Sequence, residues 1–223
     1  MKKIFNLKYI LIITTTILLN IFNTSYSQNM DKLYKKIRTR MERLRIGNPL
    51  DKSIDMGAII DKGQLKVIAD MVQLGVDEGS TLCQPSWVSP KEGYFYPPTM
   101  FTDVSPSATI AQEEIFGPVL SILECRSLDN AVEIVNDSRF GLSSAIYTRD
   151  VNRAFKAIEK LDTGITYINS STIGAEVQLP FGGTKGTGNG HREAGTTALE
   201  IFTEWKSVFI DYSGGLQKAQ IED

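Results

Sequence analysis

The sequence predicts an α/β fold built on a parallel βαβ layer, and three observations predict it. Between residues 119 and 168 the segments alternate strand, helix, strand, helix, strand. That alternation argues for parallel strands joined by right-handed crossovers. Glycine turns at Phe140-Gly141 and at Gly164 separate the units. The composition is that of an ordinary folded chain, 42% hydrophobic and 22% charged with a net charge of −2 over 223 residues. There is no basic excess, so a nucleic-acid partner is not expected, and the length sets a prior of one or two domains.

Residues 1–27 carry the three parts of a secretory signal peptide. These are Lys2, Lys3 and Lys8 at the start, a short apolar stretch from Tyr9, and small residues at Ser25 and Ser27. Cleavage is expected after Ser27, and the chain would then be exported, to the periplasm or outside the cell. The Thr and Asn interruptions and the short length disfavour a permanent membrane anchor. A misread start or a fused N-terminus is the other reading, and it leaves the protein cytoplasmic. Cys83 and Cys125 could pair in an exported chain, but two separate thiols is the preferred reading.

An amphipathic helix is predicted over 30–44, with Leu33, Ile37, Met41 and Leu44 on one face and basic residues on the other. Gly47-Asn48-Pro49 ends it. A second helix spans 61–75, with Asp61 as cap and Leu65, Ile68 and Val72 inward. A short strand follows over 79–83, then a loop to Tyr96 and an extended segment from Pro97 to Phe101. The regular part contains a strand at 119–124, a helix at 130–136 and a strand at 144–148. Asp150 then caps a helix with Val151, Ala154, Phe155, Ile158 and Leu161 on its inner face, and a strand covers 165–168. Beyond residue 193 the pattern predicts a helix over 194–205, a β-rich run over 206–212 and a polar tail.

Two stretches carry chemistry. Residues 171–195 hold seven of the chain's 18 glycines, with Val177, Leu179, Pro180 and Phe181 among them. This is an ordered loop across a pocket or a seam, because glycine at that density serves sharp turns and close approach. EEIFGPV at 113–119 places two carboxylates and an aromatic ring before a buried strand. A carboxylate can accept from ribose hydroxyls and a ring can pack on a heterocycle, but from these seven residues alone an acidic surface pair beside a core Phe is the preferred reading. His191 has no second histidine and reads as structural, not as a metal ligand. Gly186, Gly188 and Gly190 lack the strand and spacing of a dinucleotide fingerprint, so Lys185 and Arg192 read as pins of the loop.

EEIFGPV, then FGLSSAIYTRD (140–150), GITYIN (164–169) and PFGGTKGTGNGHREAG (180–195), in this order and spacing, resemble the C-terminal part of the aldehyde dehydrogenase superfamily. SSTIGAEVQLPFGG (170–183) is similar to members acting on semialdehydes, such as α-ketoglutaric and, more distantly, aminoadipic semialdehyde. The resemblance implies a partial aldehyde dehydrogenase catalytic domain over 28–205, and a terminal oligomerisation strand with tail over 206–223. It implies NAD or NADP as cofactor, with Glu114 on the nicotinamide ribose and Phe116 beside the nicotinamide. Ile173, Gly174 and Ala175 match the loop at the substrate's far end, Phe181 matches a tunnel-lining aromatic, and 207–212 matches the strand that extends a sheet across subunits. The family nucleophile, a cysteine, belongs just upstream of the first helix, where residues 21–28 contain none. The general-base glutamate and the dinucleotide domain have no counterpart in the sequence. No catalytic residue is therefore expected. The resemblance leaves three readings: a chain inactive alone, one half of a split enzyme completed by a separate N-terminal chain, or an exported binding protein on a reused scaffold. A homo-oligomer and a small aldehyde are the expected partners.

Overall fold

The computed structural model of the chain describes residues 10–13, 16–20, 26–174 and 176–215. Its strands are β1 (Ile10–Ile13), β2 (Thr16–Asn20), β3 (Thr81–Cys83), β4 (Thr99–Thr102), β5 (Val119–Cys125), β6 (Ser143–Tyr147) and β7 (Ile165–Ile168). Among the described residues they form one sheet in the order β3-β4-β5-β2-β1-β6-β7. The pairs β4–β5, β2–β5 and β6–β7 are parallel, while β1 and β3 run antiparallel to their neighbours. The parallel layer read from residues 119–168 is present, but β5 and β6 are not adjacent, because β2 and β1 stand between them.

That is the largest departure from the sequence expectation. The leader-like segment was expected outside the globule; its described residues, 10–13 and 16–20, lie in the centre of the sheet. The helix α1 (Tyr26–Glu42) starts earlier than the expected residue 30 and runs through the expected cleavage point after Ser27. The physical reason is composition. ILII and TILLN are aliphatic and largely β-branched, the make-up of a strand covered on both faces.

The remaining helices are α2 (Lys62–Asp77), α3 (Thr109–Gln112), α4 (Leu128–Asn136), α5 (Val151–Lys160) and α6 (Leu199–Phe202). Caps set their starts. Asp61 accepts from the Gln64 amide at 2.8 Å, Ser127 from Asn130 at 3.0 Å and Asp150 from Arg153 at 3.3 Å. The short α3 was not foreseen. Glu78, just past α2, organises it by accepting from the Thr109 amide at 2.8 Å and hydroxyl at 2.6 Å.

Strand alternation splits the core in two. Val119, Leu123 and Cys125 of β5 pack with Ile68 and Val72 of α2, Phe101 of β4 and Ala131, Val132 and Val135 of α4. Leu120 and Ile122, one residue out of phase, join Met100 and the α1 residues Met30 and Met41, with Leu33 and Ile37 beside them. Cys83 belongs to this second cluster and Cys125 to the first, and no disulfide joins them.

Two element readings are corrected. On α5, Ala154, Ala157 and Leu161 face the core, whereas Val151, Phe155 and Ile158 are exposed, Phe155 by 67%. The helix is turned so that its small residues approach the sheet and Lys156 and Lys160 both reach Asp129 at 2.8 Å. The helix expected over 194–205 shrinks to a 3₁₀ turn, Thr196–Ala198, and α6. Ala194 and Gly195 take positive φ, which breaks a helix at its start. The run at 206–212 is exposed and pairs with no strand among the described residues. No described helix is long and apolar enough to cross a membrane.

Candidate active-site surface

Residues 113–119 are built to hold one ring outward. Ile115 is buried and anchors the segment. Gln64, on the first turn of α2, donates from Nε2 to the carbonyl of Ile115 at 2.9 Å and to that of Phe116 at 3.3 Å. Gly117 lies against Ile68; a Cβ there would come within 2.6 Å of the Ile68 Cδ1. The result is Phe116 at φ 54°, in the left-handed region, with its side chain 73% exposed. A non-glycine residue held there costs about 1–2 kcal/mol. Glu114 is exposed next to it. A flat apolar face and a carboxylate two residues apart suit a heterocycle and a pair of ribose hydroxyls, so the residues present fit the nicotinamide end of a dinucleotide.

Glu113, which carried no assignment from the sequence, forms an ion pair with Arg139. The Arg139 guanidinium lies 4.9 Å from the centre of the Phe140 ring, and the Arg139 carbonyl accepts from the Gly186 amide at 2.9 Å. The acidic motif is thereby tied to the glycine loop.

The loop itself is riveted to the turn before β6. Lys185 Nζ donates to the carbonyls of Asn136 and Ser138, at 2.9 and 3.0 Å, and lies 3.6 Å from the Asp162 carboxylate. The Thr184 amide donates to the Gly141 carbonyl at 2.9 Å, and the Gly141 amide donates to the Thr187 hydroxyl at 3.1 Å. The glycines permit these approaches: a Cβ on Gly164 would sit 1.8 Å from the Gly182 carbonyl oxygen. Lys185 thus pins the loop as expected, whereas among the described residues the Arg192 guanidinium donates to the adjacent His191 carbonyl at 3.0 Å.

Phe181 is held by paired main-chain bonds with Glu193, at 2.6 and 2.8 Å. It lines a cavity of about 560 Å³ with Leu142, Thr187, His191, Glu193 and Ile201. His191 is therefore an exposed wall residue, not a packed structural one. Glu114, Phe116, Ile173 and Gly174 do not line this cavity. The turn at 171–174 does not line it. Ile173 is exposed, and its amide donates to Ser171 Oγ at 3.4 Å. Gly174 sits at φ 88°, and its carbonyl accepts from the Tyr167 hydroxyl at 2.7 Å. Ala175 lies outside the described residues. Tyr167, Gln64 and Arg139 are the positioning groups that sequence reasoning missed. Gln64 alone left a trace, as a Gln three residues after a capping Asp; its side chain is used across the chain instead.

Neither thiol is a nucleophile in waiting. Cys125 ends β5 in the core, and burial, with the charge of Glu124 second, pushes its thiol up to about 12. Cys83 packs in the methionine-rich cluster. Among the described residues no group of His, Cys, Asp and Glu could hold a metal ion.

The aldehyde dehydrogenase family profile matches residues 26–208. A betaine aldehyde dehydrogenase of Rhizobium leguminosarum is 39% identical over 180 residues, covering 79% of this chain and 36% of that protein. An α-ketoglutaric semialdehyde dehydrogenase of Bacillus subtilis is 35% identical over 184 residues, covering 81% and 38%. The crystal structure of a Mycobacterium tuberculosis aldehyde dehydrogenase complexed with NAD+ superimposes with a TM-score of 0.79 at 33% identity, covering 91% of this chain and 40% of that one. A structure from Burkholderia cenocepacia reaches 0.82 at 27% identity, covering 92% and 41%. The chain spans little more than a third of the length of the curated relatives it matches. The family is NAD(P)-dependent, and the mixed α/β sheet with its parallel pairs is that of a partial aldehyde dehydrogenase fold. On sequence and fold together, this chain belongs to the aldehyde dehydrogenase family.

Proposed function

We propose that this chain serves as the C-terminal portion of an NAD(P)-dependent aldehyde dehydrogenase and does not turn over aldehyde by itself. The observation that carries the reading is Phe116: a strained, exposed ring bracketed by Gln64 at both flanking carbonyls, which no packing among the described residues explains. The bound dinucleotide supplies the hydride acceptor. Glu114 holds its ribose hydroxyls, and the face of Phe116 limits the tilt of its nicotinamide. Ile173, Gly174 and Ala175 match the residues that meet the substrate's far end, and Phe181 walls its path. The substrate is a small aldehyde with a second polar end, a semialdehyde; the name of the Bacillus subtilis relative supports this. The nucleophile comes from a separate polypeptide or a longer form of this one, since Cys125 stays protonated at neutral pH and Cys83 sits half-buried against the methionine cluster.

The test is co-expression with the N-terminal part of the Bacillus subtilis relative, followed by size exclusion and NADH formation from α-ketoglutaric semialdehyde. Co-elution with turnover that falls at least tenfold in Phe116→Ala is expected. Turnover by the chain alone would overturn its inactivity. Separate elution with no activity would overturn complementation.

A further inference from the structure

We propose that Asn189 is a covalent modification site, converting spontaneously to aspartate and isoaspartate through a cyclic imide formed with the Gly190 nitrogen. The Asn189-Gly190 step stands exposed in the glycine loop. The conversion needs three things: a following amide free to lose its proton, an open approach of that nitrogen to the side-chain carbonyl, and a side-chain amine that nothing holds. Asn189 has all three. The Gly190 amide donates to no described group. A Cβ on Gly190 would meet nothing within 4 Å, and the residue sits at φ 92°, so the approach is unhindered. Asn189 Nδ2 donates to no described group, while its Oδ1 accepts from the His191 amide at 3.1 Å. That bond draws electrons from Cγ, the atom attacked.

The same three conditions exclude the other asparagines whose side chains are described. Asn48 precedes Pro49, which has no amide proton. The amides after Asn130 and Asn136 donate to the carbonyls of Ser127 and Glu133, both at 2.9 Å, and the amide after Asn152 donates to Asp150 Oδ1 at 3.3 Å. Asn169 is pinned at both ends, its Oδ1 accepting from the Thr148 amide at 2.8 Å and its Nδ2 donating to the Thr148 carbonyl at 2.9 Å. At Asn189 the Gly190 nitrogen gives its proton to solvent and attacks Cγ. The new N–Cγ bond forms, the Cγ–Nδ2 bond breaks, and Nδ2 takes a proton from solvent and leaves as ammonia. Water then opens the imide at either carbonyl, giving an aspartate or an isoaspartate whose main chain runs through the side chain; nothing is oxidised or reduced. Asn189 shares a cavity wall with Phe181, His191 and Glu193. The product therefore adds a carboxylate to a wall that already carries one, and this charge opposes entry of a semialdehyde's carboxylate. That consequence rests on the function proposed above; the conversion itself does not.

The test uses the full chain and needs no activity. The protein is incubated in mildly alkaline buffer, folded and in urea at the same pH and temperature, and residues 169 and 189 are followed by peptide mapping. Comparing each site with itself removes the intrinsic difference between an Asn-Gly and an Asn-Ser step. Conversion at 189 in the folded chain within about threefold of its rate in urea is expected, because the fold withholds none of the reacting groups. Conversion at 169 should rise at least about tenfold on unfolding, when its two hydrogen bonds are lost. An isoaspartyl methyltransferase should label the aged folded chain, and Asn189→Gln should abolish most of that label. A residue 189 that stays unconverted when folded, or that the fold slows as much as it slows 169, would overturn the proposal. So would a methyltransferase label undiminished in Asn189→Gln.

Discussion

Phe116 shows how function and stability separate at a single position. Its φ of 54° and its exposure mean that the ring contributes little to the core while its backbone is strained. Phe116→Gly should therefore raise unfolding free energy by about 1 kcal/mol, because glycine takes that conformation freely even after its larger chain entropy is subtracted. Urea melts would check it; a loss of stability would mean that the ring packs. Cys125 makes a complementary prediction. Its folded thiol is pushed up to about 12, while the unfolded thiol ionises near 9. The folded form binds the proton more tightly, so the stability is complete below pH 9 and is lost as pH rises from there towards the folded value. Above pH 9 the melting temperature of the native chain should fall more steeply than that of Cys125→Ala, which carries the same tyrosines. Equal slopes would show that the thiol is open to water.

At the scale of elements, the glycine loop holds by a few directed bonds. Lys185 neutralises two backbone carbonyls, Asn136 and Ser138, that no helix or strand satisfies. Lys185→Met should cost about 1.5–3 kcal/mol in chemical denaturation, the usual worth of charge-assisted hydrogen bonds. It should also loosen residues 182–190 in hydrogen exchange; unchanged protection would mean that the threonine bonds alone seat the loop. Asp129 joins α4 to α5 through Lys156 and Lys160, and those bonds hold its carboxyl down at about 2. Asp129→Asn should remove a stabilisation that exists above pH 4 and fades towards pH 2, read as converging melting temperatures of the two proteins on acidification. The sequence revealed the loop, and Lys185 as its pin, because glycine spacing and a lone lysine are local signals. The rotation of α5 was hidden. Its apolar stripe is five residues wide, and only the β6–β7 floor and the two lysine bonds choose Ala154 and Ala157 over Phe155 and Ile158 as the inner face.

At the scale of the molecule, the parallel units were legible because each strand and helix follows the last in sequence. The position of β1 and β2 was not, since a short apolar run suits a leader and a buried strand equally and only the gap between β5 and β6 distinguishes them. The C-terminal run poses the same kind of problem without a solution inside one chain. Trp205, Phe209 and Tyr212 are 91%, 89% and 94% exposed on a segment with no ladder partner among the described residues. Large aromatics in a row on water are an association surface, and a β-rich segment without a strand partner associates by adding to an edge. The chain should therefore self-associate through 203–212 at micromolar concentration in sedimentation velocity. Replacing two aromatic anchors, Trp205→Ser with Phe209→Ser, should weaken that association at least tenfold, since each buried anchor carries on the order of 1–2 kcal/mol. The monomer's melting temperature should stay unchanged, because neither ring touches the core. Association that survives the double substitution would assign the contact to the exposed Phe155 and Ile158 face of α5 instead, and Phe155→Glu would then dissolve it.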